Sequence, residues 1–165
     1  MYLLSEARRI NRMAREVFSK DGYHRPLMFL FTEGVKGAKI VDLAPFMVDE
    51  QGKSSVAATV RKMAVDREIT GVAMITEAWM AEMDKEDKDV EKARRGEIPV
   101  SEMGNKKEVL MVKAESDDGL DVMFTNEIFR DIDGKPTLMQ AKEIRGVSGR
   151  LGGFFAPVLP DNSKN

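Results

Sequence analysis

The sequence predicts an α+β fold: a mostly antiparallel sheet of about six strands packed with two helices, interrupted by one long charged insertion. Three observations lead there. Two segments repeat apolar residues at helical spacing. Six runs of strand-favouring residues alternate or cluster between turns. Most of those runs are joined by short Gly-containing connections, which suit antiparallel neighbours rather than parallel crossovers. The expected order is α-β-β-α-β-(insertion)-β-β-β.

The first helix covers residues 3–20. At 100° per residue, Leu3, Ala7, Ile10, Ala14, Val17 and Phe18 fall within one arc of about 100°. Arg8, Arg12 and Arg15 fall opposite, with Arg9 nearby. Asp21-Gly22 supplies the stop, because glycine tolerates the left-handed cap conformation. Two strands follow, Leu27–Thr32 and Lys39–Val48, joined by Glu33-Gly34-Val35-Lys36-Gly37. Pro26 and Pro45 limit their regular pairing. A second helix is expected from Ser54 or Ser55 to Arg67, with a serine as N-cap and Val56, Val60, Met63 and Ala64 on its apolar face. Gly71 then opens a strand, Val72–Trp79.

Residues 80–106 are expected to form a mobile charged insertion. Positions 82–97 hold seven acidic and five basic residues and few large apolar ones. Such a segment gains little by packing to offset the entropy of ordering. Beyond it the chain reads as a meander. Glu108–Glu115 is a strand, Asp118-Gly119 a turn, and Leu120–Phe129 a strand whose Leu120, Val122, Phe124 and Ile128 share one face with Asn126 between them. Asp131-Ile132-Asp133-Gly134 is a further turn, and Thr137–Ile144 closes the hairpin. The whole of 1–165 is expected to be a single α+β domain with a flexible tail over 156–165. Leu27, Phe29, Ile40, Val60, Met63, Val72, Met74, Val112, Val122 and Phe124 are the expected core.

Composition narrows the functions. The AVILMFWYC set is 42% of the chain, which argues against disorder throughout. The formal net charge is −2, so a generally polybasic nucleic-acid binder is excluded. Cysteine is absent, which removes disulfides, thiolate chemistry, zinc fingers and iron–sulfur clusters. No apolar run approaches 18 residues, and charges at Glu6, Arg8 and Arg9 interrupt any signal-type apolar stretch, so neither a spanning segment nor a secretion signal is expected. The expectation is a cytoplasmic protein with no membrane partner.

Several motifs read as turns rather than sites. Gly52-Lys53-Ser54-Ser55 precedes a helix, but a phosphate loop needs glycine where Met47 stands. Asp131–Gly134 resembles the centre of a calcium loop, yet Phe129 and Gln140 occupy its two ends. His24 is the sole histidine, so metal sites needing two are excluded. In Tyr23-His24-Arg25-Pro26 it reads as a solvent-facing loop residue. No cofactor and no metal is expected.

Two constellations carry chemistry. Glu77 shares a strand face with Ala73, Ile75 and Trp79, so a pocket carboxylate beside an indole is one reading, a structural ion pair with an arginine a second, and exposure at the strand end a third. Arg8, Arg12 and Arg15 on the first helix, with Arg145 and Arg150 near the Gly-rich stretch 145–155, could hold a phosphate backbone. A solvated helix face and a terminal turn are the plainer readings.

Glu77-Ala78-Trp79-Met80, the charged insertion, Ser101-Glu102-Met103 and Lys107–Val112 form a texture that resembles small uncharacterised proteins of bacteria and their phages. The resemblance spans roughly residues 55–115 and implies a bacterial or phage origin. It carries no activity and no site residue. Three function classes therefore stand. The first is a non-enzymatic binding or assembly module that self-associates, as a two-fold dimer. The second is a small hydrolase-like enzyme using Glu77 near Trp79. The third is a nucleic-acid binder through Arg8, Arg12 and Arg15 with Arg145 and Arg150.

Overall fold

The computed structural model describes residues 2–81, 92, 97–98, 106–146 and 153–155. The fold is α+β, and among the described residues its elements are two α-helices and an antiparallel sheet. Helix α1 spans Tyr2–Asp21 and α2 spans Glu50–Val65. The strands are β1 (Leu27–Phe31), β2 (Lys39–Asp42), β3 (Gly71–Ala81), β4 (Lys106–Ser116), β5 (Asp121–Arg130), β6 (Pro136–Leu138) and β7 (Lys142–Arg145). Six of them lie in the order β2-β1-β3-β4-β5-β6, and β7 also pairs with β5.

The sheet's two faces are set by strand alternation. Ala73 and Ile75 on β3, Leu110, Val112 and Ala114 on β4, and Val122, Phe124 and Ile128 on β5 point to one side. There they meet Leu3, Ala7, Ile10, Ala14 and Phe18 of α1 in one buried cluster. Met28, Leu30, Val72 and Met74 point to the other side and meet Ala57 and Val60 of α2, with Leu43, Ile69 and Phe154. Gly71 permits the close seat of α1: a Cβ there would lie 2.9 Å from Leu3 Cδ2. Gly22, at φ +77°, ends α1 as the Asp-Gly pair foretold, its N–H donating to the Phe18 carbonyl at 2.7 Å.

The two helices are offset as well as opposed. Helix α1 lies over β4 and touches β3, β5 and β6. Six strands about 4.8 Å apart extend about 24 Å from first to last, whereas a helix is about 10–12 Å across. One helix cannot cover that face. The uncovered part is β2, where Ile40 is 59% exposed, whereas Phe31 of β1 still reaches the buried cluster under α1.

That geometry corrects the expected core at Ile40. Leu27, Phe29 and Met63 are half-buried, while Val60, Val72, Met74, Val112, Val122 and Phe124 are buried. The second strand also stops sooner than expected. At Asp42 the carboxylate accepts the Ala44 N–H at 3.0 Å, and a 3-10 turn over Ala44–Phe46, with Pro45 inside it, takes the place of the ladder. Helix α2 correspondingly begins at Glu50. Its N-cap is Asp49, which accepts the Gly52 N–H at 2.7 Å, and not a serine.

His24 is buried rather than solvent-facing, its ring Nδ1 2.7 Å from the Arg25 carbonyl oxygen. The last expected strand is broken. Ile128 pairs with Leu138, but Val122 pairs with Arg145, a register shift of one residue. The extra residue lies between Met139 and Ala141, where a bulge separates β6 from β7. Met80, Ala81 and Lys106 belong to strands β3 and β4. Most of the expected insertion, and the tail over 156–165, lie outside the described residues.

Candidate functional site

The flank of α1 that faces β5, β6 and β7 brings together residues from both basic features of the sequence. Helical spacing puts Arg8, Arg12 and Arg15 on one side of α1. On β7, Glu143 and Arg145 stand two residues apart, so both point to the α1 side of the sheet. Glu143 Oε1 lies 3.3 Å from an Arg8 guanidinium nitrogen and 3.8 Å from one of Arg145. One carboxylate thus sits between two cations that are 137 positions apart in the chain. Their side chains are 51% and 54% exposed.

Arg15 does something else. It donates to Asn126 Oδ1 and to the Met139 carbonyl oxygen, each at 2.8 Å. Asn126 is fully buried, and its amide nitrogen donates to Asn11 Oδ1 at 2.8 Å and to the Leu110 carbonyl at 2.9 Å. The Met139 carbonyl lies at the bulge between β6 and β7. Arg15 therefore ties α1 to the sheet at the point where the ladder is interrupted. Arg12 is exposed and makes no hydrogen bond or ion pair among the described residues. Arg150 lies outside them.

Glu77 and Trp79 stand near the far end of β3, beyond the cover of α1. Glu77 is exposed and accepts the His24 backbone N–H at 3.1 Å. Trp79 is 47% exposed, and the Lys106 ammonium sits 5.1 Å from its ring centroid, a cation–π contact. Beside Trp79 in register is Glu108, held by a two-pronged contact from Arg130 at 2.8 and 2.5 Å. The hydrogen bonds from Arg130 hold the Glu108 carboxyl below the usual carboxylate range, against the upward push of its partial burial.

An open depression of about 370 Å³ lies at the opposite end of the sheet, lined by Tyr2, Phe31, Val35 and Thr70 among others. Glu77 and Trp79 do not line it. Among the described residues, no three His, Asp or Glu side chains gather as a metal-binding group, and no helix is long and apolar enough to cross a membrane.

Two features escaped sequence reasoning. Glu143 joins the two basic segments, and only the fold reveals that. Lys113 and Glu115 form a buried ion pair at 3.3 Å on the face opposite α1. Glu115 also accepts the N–H groups of Gly153 and Phe154, at 2.6 and 3.2 Å. The family model described as Bacteriophage lambda protein ea47 matches residues 3–159. No curated protein and no solved structure matches the chain.

Proposed function

The chain belongs to the Bacteriophage lambda protein ea47 family, and we propose that it is a non-enzymatic binding or assembly module that forms a two-fold dimer. Ile40 carries this reading. It is 59% exposed on the outermost strand, β2, whose outer edge has no partner strand among the described residues. Exposed apolar groups surround that edge. Val35 is 61% exposed in the connection before β2, and Phe29 is only half-buried beside Ile40 in register. Tyr2, Met13 and Val17 are exposed on the flank of α1 away from Arg8 and Arg15, and Tyr2 shares the depression with Val35.

Exposed apolar groups beside an open sheet edge are the combination that a second chain covers. Closed two-fold pairing is the commonest way for identical chains to cover such a surface. Hydrolase-like chemistry at Glu77 has less support, because that carboxylate is exposed and lies away from the depression.

Sedimentation at micromolar concentration tests the proposal. The expected mass is twice 18.5 kDa for the natural chain and 18.5 kDa for Ile40→Lys. Ile40 is exposed, so the substitution leaves the core intact, which circular dichroism checks. A natural chain that sediments at 18.5 kDa overturns the proposal.

A further inference from the structure

We propose that the flank of α1 beside β7 is a docking surface for the phosphate backbone of nucleic acid, read without regard to sequence. Arg8, Arg12 and Arg145 form its contact set. All three are exposed, and Glu143 is the one acid within ion-pair distance of any of them among the described residues. The proposal does not depend on dimerisation, because Ile40 and the apolar flank of α1 lie on the other side of the helix.

The chemistry of the flank selects the ligand. A guanidinium presents a planar fork of N–H donors that matches phosphate oxygens, so three arginines suit a phosphate chain better than single carboxylates. Arg8 and Arg12 are one turn apart, about 6 Å along the helix axis. That is close to two nucleotide steps of about 3.4 Å along one strand. Glu143 lies between the Arg8 and Arg145 guanidiniums and lessens their mutual repulsion while the surface is empty. A net positive charge remains. Arg15 is excluded from the contact set because its Nη1 is held by Asn126 and Met139, which turns the guanidinium toward the sheet.

The arrangement does not suit a lipid surface. A helix that lies on a membrane needs apolar groups flanked by its cations. Here the exposed Tyr2, Met13 and Val17 project from the opposite flank of α1. The overall charge of −2 means that attraction is local, so binding is weak and strongly dependent on salt.

Fluorescence anisotropy with a labelled 20-base-pair duplex, on the full-length chain, tests the proposal. Three phosphate contacts predict a fall in affinity of about forty-fold between 50 and 200 mM salt. Arg12→Ala should reduce the salt slope by about 0.9. The double variant Arg8→Ala/Arg12→Ala should abolish measurable binding. Glu143→Gln removes the acid that competes with phosphate and should tighten binding several-fold. Lys62→Ala, on α2, should bind as the natural chain does.

Failure of the natural chain to bind at 50 mM salt overturns the proposal. So does a Glu143→Gln variant with unchanged or weaker affinity while its circular dichroism is native. So does loss of binding to vesicles of anionic phospholipid, with duplex binding retained, in the double arginine variant. Dimerisation measured by sedimentation is a separate readout, so failure of either proposal is recognisable on its own.

Discussion

Arg15 on the first helix and Asn126 in the middle of β5 share a hydrogen bond of 2.8 Å, although 111 positions separate them. Asn126 is fully buried among apolar side chains, and its amide nitrogen is also satisfied, by Asn11 and the Leu110 carbonyl. A buried amide with all of these partners costs little, whereas the same group without them costs much. Truncation therefore exposes the asymmetry. Asn126→Ala strands Asn11 and leaves one Arg15 donor without its acceptor. We expect a stability loss of roughly 3 kcal/mol in urea unfolding. Arg15→Ala should cost about 1–3 kcal/mol, and Arg12→Ala no more than about 0.5 kcal/mol. Equal losses at Arg12 and Arg15 would contradict the division of labour between them.

Glu115 makes a second prediction. Its carboxylate is buried with Lys113 and holds two backbone N–H groups of the segment Gly153–Phe155. Removal of one member of a buried ion pair leaves an uncompensated charge, at a cost of about 3–5 kcal/mol. Glu115→Ala should therefore destabilise the fold by about that amount. The amides of Gly153 and Phe154 should lose protection from hydrogen exchange, and more of it than those of Val122 and Phe124. Unchanged protection at Gly153 and Phe154 would show that the segment is held by Phe154's apolar contacts alone.

The strand faces were legible because period-two alternation is a local property. Val122, Phe124 and Ile128 point inward as their spacing requires, and Asn126 lies on the same buried face. Asn126 was visible as a polar break in an apolar row, but its partners Asn11 and Arg15 come from a helix packed across the sheet. No pattern along the chain connects them. Ile40 shows the complementary failure. Its neighbours read as strand, and it is in a strand, yet burial depends on which part of the sheet the helices cover. His24 failed for the same reason: a loop residue by sequence is enclosed by tertiary packing. The candidate site was half legible. The arginines were evident as a helix face, but Glu143 joins Arg8 to Arg145 only once β7 lies beside α1.

A pH prediction follows from Glu108 and Arg130. The carboxyl of Glu108 is held below its ordinary range, chiefly by hydrogen bonds from Arg130. A group with a depressed folded-state pKa stabilises the fold above its unfolded pKa, and that contribution disappears as pH falls through the folded value. The pair is partly exposed, so its worth is at most about 1 kcal/mol. Arg130→Ala should thus be less stable than the natural chain by up to about 1 kcal/mol at pH 7. The difference should shrink as pH falls below the usual carboxylate range. A difference that stays constant from pH 7 to pH 3 would assign the effect to lost packing of the arginine stem, not to the ion pair.

Phe124 and Ile40 provide the last test, because they contrast two apolar side chains on the same face of one sheet. Phe124 is 6% exposed in the cluster under α1, and Ile40 is 59% exposed beyond its cover. Phe124→Ala removes a large enclosed ring, and the close-packed strands around Val112 and Val122 cannot collapse fully into the space. A loss of roughly 3–5 kcal/mol is expected. Ile40→Ala removes groups that water already reaches in the single chain, so at concentrations below any self-association it should cost no more than about 0.5 kcal/mol. At higher concentration the two variants should diverge further. Anything that binds only the folded chain stabilises it by mass action, a second copy included. If the β2 edge is a dimer contact, the natural chain should gain in thermal midpoint as its concentration rises, and Ile40→Ala should lose part of that gain. Phe124→Ala should keep the concentration dependence while starting from a lower midpoint. A midpoint independent of concentration in all three chains would leave Ile40 as an exposed side chain without a partner of its own kind.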